Sequence, residues 1–178
     1  IAGAQKLNPA IKIIYNYVNS FTDTAKAKDQ ALVQYKSYNA DIVYHAAGRA
    51  GLGVFDAAVE TGKYAIGVDT DQASLFGNEP KKADLILTST MKRVDLTLYQ
   101  AFEKFMNGEK LGGKKVYVGA AEGVIAYAPF NKAVPASIKA ELEKLQADIR
   151  AGKVTIPSAF SMTAEEINKM RDSVNAAK

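Results

Sequence analysis

The sequence predicts an α/β fold in which a parallel sheet carries helices on both faces. Runs of β-branched and aromatic residues alternate with segments of helical periodicity, and the connections between them are short. Strands and helices that alternate in this way build parallel sheets. Of the 178 residues, 48% are hydrophobic and 24% charged, as in ordinary globular domains. No run approaches the ~20 apolar residues of a membrane-spanning helix.

The first part of the chain supplies two predicted strands and the helix between them. Asn8-Pro9 should end a short opening helix, because a residue that precedes proline disfavours helical geometry. Ile11–Val18 is rich in β-branched and aromatic residues and is predicted to be the first strand. Ala25–Tyr38 has apolar residues at helical spacing after a polar capping loop, and Asp41–Ala47 is an apolar run typical of a buried strand.

The same alternation continues to about residue 107. Gly48–Gly53 is a glycine-containing turn that leads into a helix over residues 54–60, with Gly62 as its expected C-cap. Two further strands and a helix complete this part, and they are predicted at Tyr64–Val68, Leu85–Ser89 and Val94–Asn107. A polar loop is expected between these two strands.

The pattern changes after residue 112. Lys115–Gly119 and Val124–Tyr127 are predicted to be two short strands. Ser137–Arg150 has its apolar residues on one stripe and is predicted to be an amphipathic helix. Thr163 and Glu166 have the spacing of a capping box, which indicates that a last helix begins there.

The composition argues against several classes of functional site. Zero cysteines exclude disulfides, thiolate metal sites and cysteine nucleophiles. One histidine, His45, argues against a histidine-based metal site or triad, and its place within an apolar strand indicates a core residue. The net charge is +4, but basic and acidic residues are mixed along the chain, so no nucleic-acid partner is predicted.

The residues that follow the four main strands form the candidate site. Parallel sheets bind ligands beyond the carboxyl ends of their strands. These ends supply an aromatic ring, a glycine turn with exposed amides, two carboxylates and a cation, namely Phe21, Gly48, Asp69, Asp71 and Lys92. Together these groups suit a small polyhydroxylated ligand with a flat ring.

Enzyme chemistry is weakly supported by the sequence. Gly48, Gly51 and Gly53 have the reverse of the dinucleotide-binding spacing, and no Gly-Lys-Ser/Thr phosphate loop is present. Asp69 and Asp71 could form an acid pair, but no nucleophile stands next to a base. The chain is therefore expected not to be an enzyme.

Six blocks of sequence carry a family resemblance. They are Asn19–Asp23, Ala46–Gly48, Gly51–Phe55, Lys63–Gln72, Leu87–Ser89 and Lys92–Asp95. Together they resemble the basic membrane lipoprotein family, the purine nucleoside receptor group among the solute-binding proteins of ABC transporters. The resemblance extends from the first strand to about Pro157, and the Gly-Val-Asp-x-Asp-Gln block is fairly specific.

The resemblance implies a two-lobed type I periplasmic-binding-protein fold that holds a purine nucleoside between its lobes, with no catalysis and no cofactor. It implies that Phe21 stacks on the base and that Gly48 contacts the ligand from the turn. It also implies that Asp69 accepts hydrogen bonds from the ribose and that Lys92 is the cation on that side. Arg49 departs from the small residue that family members often have at this place.

The resemblance also implies an organisation and a location. Residues 1–112 would be the second, ligand-binding lobe, and residues 113–178 would be segments that return to the first lobe. The chain is thus expected to be a C-terminal fragment of an extracytoplasmic lipoprotein whose partners are an ABC permease and its own first lobe. Alone, it is expected to self-associate, for instance by exchange of its C-terminal segments.

Two alternative functions stay open at this point. The first is a ligand-sensing regulatory domain of a transcriptional regulator on the same fold. The second is an enzyme of flavodoxin-like or sugar-isomerase type, against which the missing phosphate loop counts.

Overall fold

Four strands form one sheet in a computed structural model that describes residues 1–175. They are β1 Ile42–Tyr44, β2 Tyr64–Asp69, β3 Ile86–Lys92 and β4 Ile125–Tyr127, and they lie side by side in that order. β1, β2 and β3 run parallel, whereas β4 pairs antiparallel with β3. The α/β class predicted from the sequence is confirmed, and the sheet predicted to be parallel is parallel except for β4.

Helices and short 3₁₀ turns connect these strands, and local signals account for several of their ends. Asp23 caps its helix by accepting a hydrogen bond from the Lys26 amide, and Gly62 ends the next one with φ of 64°. Thr163 and Glu166 form the predicted capping box. The α-helices are α1 Ala2–Leu7, α2 Thr24–Ser37, α3 Leu52–Thr61, α4 Pro80–Ala83, α5 Val94–Met106, α6 Ala136–Arg150 and α7 Ala164–Val174, and the 3₁₀ turns are Gly48–Gly51, Gln72–Phe76 and Ala159–Ser161.

The hydrophobic core lies where α2 and α3 pack against the sheet. The two helices approach closely at Gly53, where a Cβ atom would lie 2.0 Å from the Thr24 carbonyl oxygen. Only glycine fits at that contact. The buried members of the core are Ala31, Tyr35, Val43, Val54, Phe55, Ala57, Ala58, Ala65 and Ile86.

The strand predicted over Ile11–Val18 does not form, and that prediction is wrong. The segment is extended, but within the described residues its backbone pairs through a single bridge, between Ile13 and Asn175. Arg171 of α7 then holds it by donating to the Tyr17 hydroxyl at 3.0 Å and by lying over the Tyr15 ring. β-branched residues favour an extended chain, but a strand also needs the edge of a neighbouring strand.

Two details of the later chain also differ from the predictions. Lys115–Gly119 is not a strand, and its Val116 and Tyr117 side chains are largely exposed. The loop expected between β2 and β3 contains a 3₁₀ turn and α4, which the sequence analysis missed. The pairing of β3 with β4 joins residues from both sides of the lobe boundary predicted at residue 112.

No helix within residues 1–175 has both the length and the apolar character needed to cross a membrane.

Candidate functional site

Three parallel strands bring the predicted site residues to one edge of the sheet. Asp69 is the last residue of β2, Lys92 is the last residue of β3, and Gly48 begins the turn that follows β1. Because these strands are parallel and adjacent, their carboxyl ends meet at the same edge.

Phe21 and Gly48 form the aromatic half of the site. The Phe21 carbonyl accepts a hydrogen bond from the Ala50 amide at 2.9 Å, which fastens the loop before α2 to the glycine turn. Ser20 stiffens that loop, since its hydroxyl accepts from the amides of Thr22 and Asp23. The Phe21 side chain is 75% exposed, so its ring face is available to a ligand. Gly48 lies beside that ring, because a Cβ there would be 3.4 Å from Phe21 Cδ1.

Asp69 and Lys92 form the charged half. Lys92 Nζ lies 2.9 Å from Asp69 Oδ1, and the two side chains are 69% and 49% exposed. The hydrogen bond to Asp69 raises the pKa of Lys92 above its ordinary value, so the lysine is a cation throughout the physiological range. The pair leaves lone pairs on the carboxylate and protons on the ammonium for a ligand in the open solvent.

The Asp69 backbone adopts a strained conformation. Its φ is 68°, in the left-handed region, and the Thr70 amide bonds to the Val68 carbonyl at 2.8 Å across it. An i to i+2 hydrogen bond around a residue with positive φ defines the rarer and more strained form of γ-turn. Strain of this kind accumulates at ligand-binding positions, because the conformation persists only where the surroundings enforce it.

Asp71 and Arg49 do not join either half. The Asp71 carbonyl accepts a hydrogen bond from the Ser74 hydroxyl and so helps to form the 3₁₀ turn. Within the described residues its carboxylate contacts neither Asp69 nor Lys92. The Arg49 side chain is exposed, with no hydrogen bond or ion pair to the rest of residues 1–175.

Tyr44 is a candidate that the sequence analysis missed. Its hydroxyl lies 3.2 Å from Thr90 Oγ1, so the side chain crosses β2 to reach β3. The signal was strand alternation: Val43 is buried in the core, so Tyr44 must point to the opposite face.

The groups at this edge can stack on a ligand and form hydrogen bonds with it. Among residues 1–175, no three His, Cys, Asp or Glu side chains converge as a metal site would require. The edge offers a flat apolar ring, a fixed carboxylate and a neighbouring ammonium group. These groups can hold a ligand that has an aromatic ring at one end and hydroxyl groups at the other.

Comparison with known families decides the affiliation. Residues 1–159 match the model of the Bmp family, described as ABC transporter substrate-binding protein PnrA-like. The chain belongs to this family. The resemblance stated from the sequence blocks is therefore confirmed.

Relatives in the Bmp family are about twice as long as the region they share with this chain. Basic membrane protein A of Borreliella afzelii is 34% identical over 159 residues, which are 88% of this chain and 47% of that protein. The ABC transporter nucleoside-binding protein BmpA of Lactococcus lactis subsp. cremoris is also 34% identical, over 169 residues, 89% of this chain and 47% of its own length. The chain thus spans about half the length of the curated relatives it matches.

A solved structure has the same fold. The crystal structure of a transcriptional activator of the comK gene from Bacillus halodurans superposes with a TM-score of 0.66 at 28% identity. The match covers 80% of this chain and 47% of that one.

Proposed function

We propose that this chain forms one wall of a cleft that binds a purine nucleoside for an ABC importer. The observation that carries the proposal is the Asp69–Lys92 pair at the same sheet edge as the exposed Phe21 ring. A nucleoside has the matching chemistry, because its base is a flat ring and its ribose carries neighbouring hydroxyls.

Each side chain of the site would contact a different part of the nucleoside. The ribose hydroxyls donate to the Asp69 carboxylate, and Lys92 donates to a ribose oxygen. The base stacks on Phe21, a contact worth about 1–3 kcal/mol in other proteins. The Gly48 turn lets the ligand approach the backbone, because no Cβ blocks it. Tyr44 extends this surface along the sheet.

The relatives support this proposal by name. The Lactococcus lactis protein is named as nucleoside-binding, and its match covers 89% of this chain. Preference for purines, the ABC permease as partner, and an extracytoplasmic, lipid-anchored location are our proposals for the receptor as a whole. Binding without turnover follows from the same proposal.

A direct titration tests the ligand class. Amide chemical shifts of the ¹⁵N-labelled chain are followed as adenosine, adenine or adenosine 5′-monophosphate is added. We expect adenosine to bind most tightly, because adenine lacks the ribose and the phosphate would face the Asp69 carboxylate. Equal or tighter binding of the monophosphate would overturn the proposal.

Asn variants identify the carboxylate. Asp69→Asn keeps the size of the side chain but removes the charged acceptor, and we expect its affinity for adenosine to fall about tenfold or more. Asp71→Asn is the matched control and should bind normally. The reverse result would assign the ribose to Asp71.

A second candidate function is supported by the solved neighbour. The Bacillus halodurans protein is named a transcriptional activator, so a ligand-sensing domain of a regulator is the alternative for this chain. The complete gene product separates the two: a DNA-binding segment favours the regulator, whereas co-purification with an ABC permease favours the importer.

The exposed face of α5 supports the proposed two-lobed organisation. No residue of α5 is buried, and Leu98, Phe102 and Phe105 are each more than half exposed. With Ala101 and Leu111 they bound a hollow of about 340 Å³. An apolar surface of this kind marks an interface. We propose that the first lobe covers it in a full-length receptor, and that a second copy covers it when the chain is alone.

Light scattering of the purified chain tests this interface. We expect a dimer or larger species at micromolar concentration, and Phe102→Asp should shift it towards the monomer. Ile138→Asp on α6 is the matched control at a second exposed apolar residue. A monomeric wild-type chain would contradict self-association.

The division into residues 1–112 and 113–178 is a further proposal, which limited proteolysis near residue 112 tests.

A further inference from the structure

Behind the site edge, three buried polar residues join the ends of β1 and β2 to the middle of β3. His45 Nε2 lies 2.9 Å from Gln72 Oε1, and the same oxygen accepts from the Val68 amide at 2.8 Å. The backbone amide of Gln72 in turn donates to Ser89 Oγ at 3.1 Å. His45, Gln72 and Ser89 are all less than a tenth exposed. We call these three residues the strand-end network.

The hydrogen bonds fix the tautomer of His45. Gln72 Oε1 is an acceptor, so Nε2 must carry the imidazole proton. The other ring nitrogen, Nδ1, is buried and has no hydrogen-bond partner among residues 1–175. It faces Gly51, where a Cβ would lie only 2.0 Å away. The ring therefore fills the underside of the glycine turn.

The network also lies against the Asp69 turn. Gly67 precedes Asp69 by two residues, and a Cβ there would lie 2.4 Å from Ser89 Oγ and 2.6 Å from Gln72 Oε1. Gln72 follows Asp69 by three residues, and its side chain accepts from the amide of Val68, the first residue of the turn. The Gln72 side chain thus bridges from the chain after the turn to its first residue.

We propose that the strand-end network is a positioning device, which sets the glycine turn and the Asp69 turn relative to each other so that they move as one unit. None of its three residues touches the proposed ligand. The His45 ring packs under the turn that contains Gly48. Gln72 bonds both to His45 and to Val68, so a shift of the His45 ring would move the turn of Asp69. The consequence for ligand affinity rests on the nucleoside-binding function proposed above.

Protonation of His45 provides a probe of the coupling. A charged imidazole would place an N–H at Nδ1, which meets no acceptor in the described part of the chain. Burial lowers the pKa of His45. The ring is surrounded by Gly51, the edge of Phe55 and Gln72, and the charged group that acts on it is Asp69. As the only histidine in the chain, His45 gives a titration that can be assigned without ambiguity.

Amide and imidazole NMR spectra of the full chain between about pH 7.5 and 5 test the coupling directly. We expect the Nε2–H tautomer at neutral pH. On acidification, the amides of the Gly48–Gly51 turn and of residues 69–72 should shift together with one midpoint. His45→Gln retains an N–H donor for Gln72 but does not titrate, so the shared shift should vanish. Shifts confined to His45 and its sequence neighbours, or an Nδ1–H tautomer, would overturn the proposal.

Adenosine affinity at neutral pH provides a second test of the positioning role. His45→Leu removes the donor to Gln72 and should weaken binding about tenfold, whereas His45→Gln should bind like the wild type. Ser89→Ala is an independent variant that should weaken binding in the same direction. Unchanged affinity in both His45→Leu and Ser89→Ala contradicts a positioning role. If this one wall of the cleft binds no measurable adenosine, the shift experiment alone decides the positioning proposal, and the full-length receptor tests the proposed function: a receptor that binds no adenosine overturns it.

Discussion

Replacement of Asp69 by alanine or by glycine should separate the strain of this residue from its role in binding. Both substitutions remove the carboxylate and its contact with Lys92, so the lost electrostatic contribution is the same in each. They differ at the backbone, because φ at residue 69 is 68° and only glycine adopts that region without a steric cost.

The size of the difference follows from two opposed effects. A Cβ in the left-handed region costs about 1–2 kcal/mol. Glycine loses roughly 0.5–1 kcal/mol more conformational freedom on folding than alanine does. The midpoints of these two ranges differ by about 0.8 kcal/mol, so we expect Asp69→Gly to be more stable than Asp69→Ala by roughly that amount. For a chain of this length that difference corresponds to a melting temperature roughly 1–4 °C higher.

Thermal unfolding followed by circular dichroism measures this difference. Ser74 provides the matched control, because it lies in the 3₁₀ turn at Gln72–Phe76 without a positive φ. Ser74→Ala should therefore be more stable than Ser74→Gly, the opposite order. Both Asp69 variants should lose adenosine binding. An Asp69→Ala protein as stable as Asp69→Gly, or an Asp69→Gly protein with wild-type affinity, would refute the reasoning.

Three further expectations follow from the same geometry. Gly51→Ala should destabilise the fold by about 1–3 kcal/mol in urea titrations, since its Cβ would meet the His45 ring, whereas Gly77→Ala meets no atom within 4 Å and should be close to neutral. Lys92→Met should weaken adenosine binding but alter stability by less than about 1 kcal/mol, because its ion pair is exposed. Folding stability should fall as pH drops below about 6.5, because the unfolded chain takes up a proton that the buried His45 resists; the fall should be smaller in His45→Gln.

The sequence was sufficient to predict the strands that end at the site. β1, β2 and β3 overlap the predicted apolar runs, and the polar residues that follow these runs were identified from the sequence alone. Asp69 and Lys92 were predicted because parallel strands bring their carboxyl ends together. The side-chain pairing of Asp69 with Lys92 could not be read from spacing, since it depends on how β2 and β3 align.

The remaining elements depended on partners that a local pattern does not specify. Ile11–Val18 has the composition of a strand, but its backbone found one bridge, at Ile13, in place of a ladder. Tyr44 was hidden within an apolar run whose two faces only the packing of Val43 distinguishes. The link from His45 to Gln72 joins residues far apart in sequence, so only the folded chain reveals it.

The central claim, that Asp69 and Lys92 hold the ribose of a nucleoside, is tested most directly by comparing adenosine with 2′,3′-dideoxyadenosine. The two ligands share the base and differ only in the 2′ and 3′ hydroxyls, which would donate hydrogen bonds to the carboxylate. In amide-shift titrations of the wild-type chain, adenosine should perturb residues at the Gly48 and Asp69 turns and bind at least about tenfold more tightly than the dideoxy compound. Equal affinities for the two ligands, or perturbations that map away from this sheet edge, would contradict the claim.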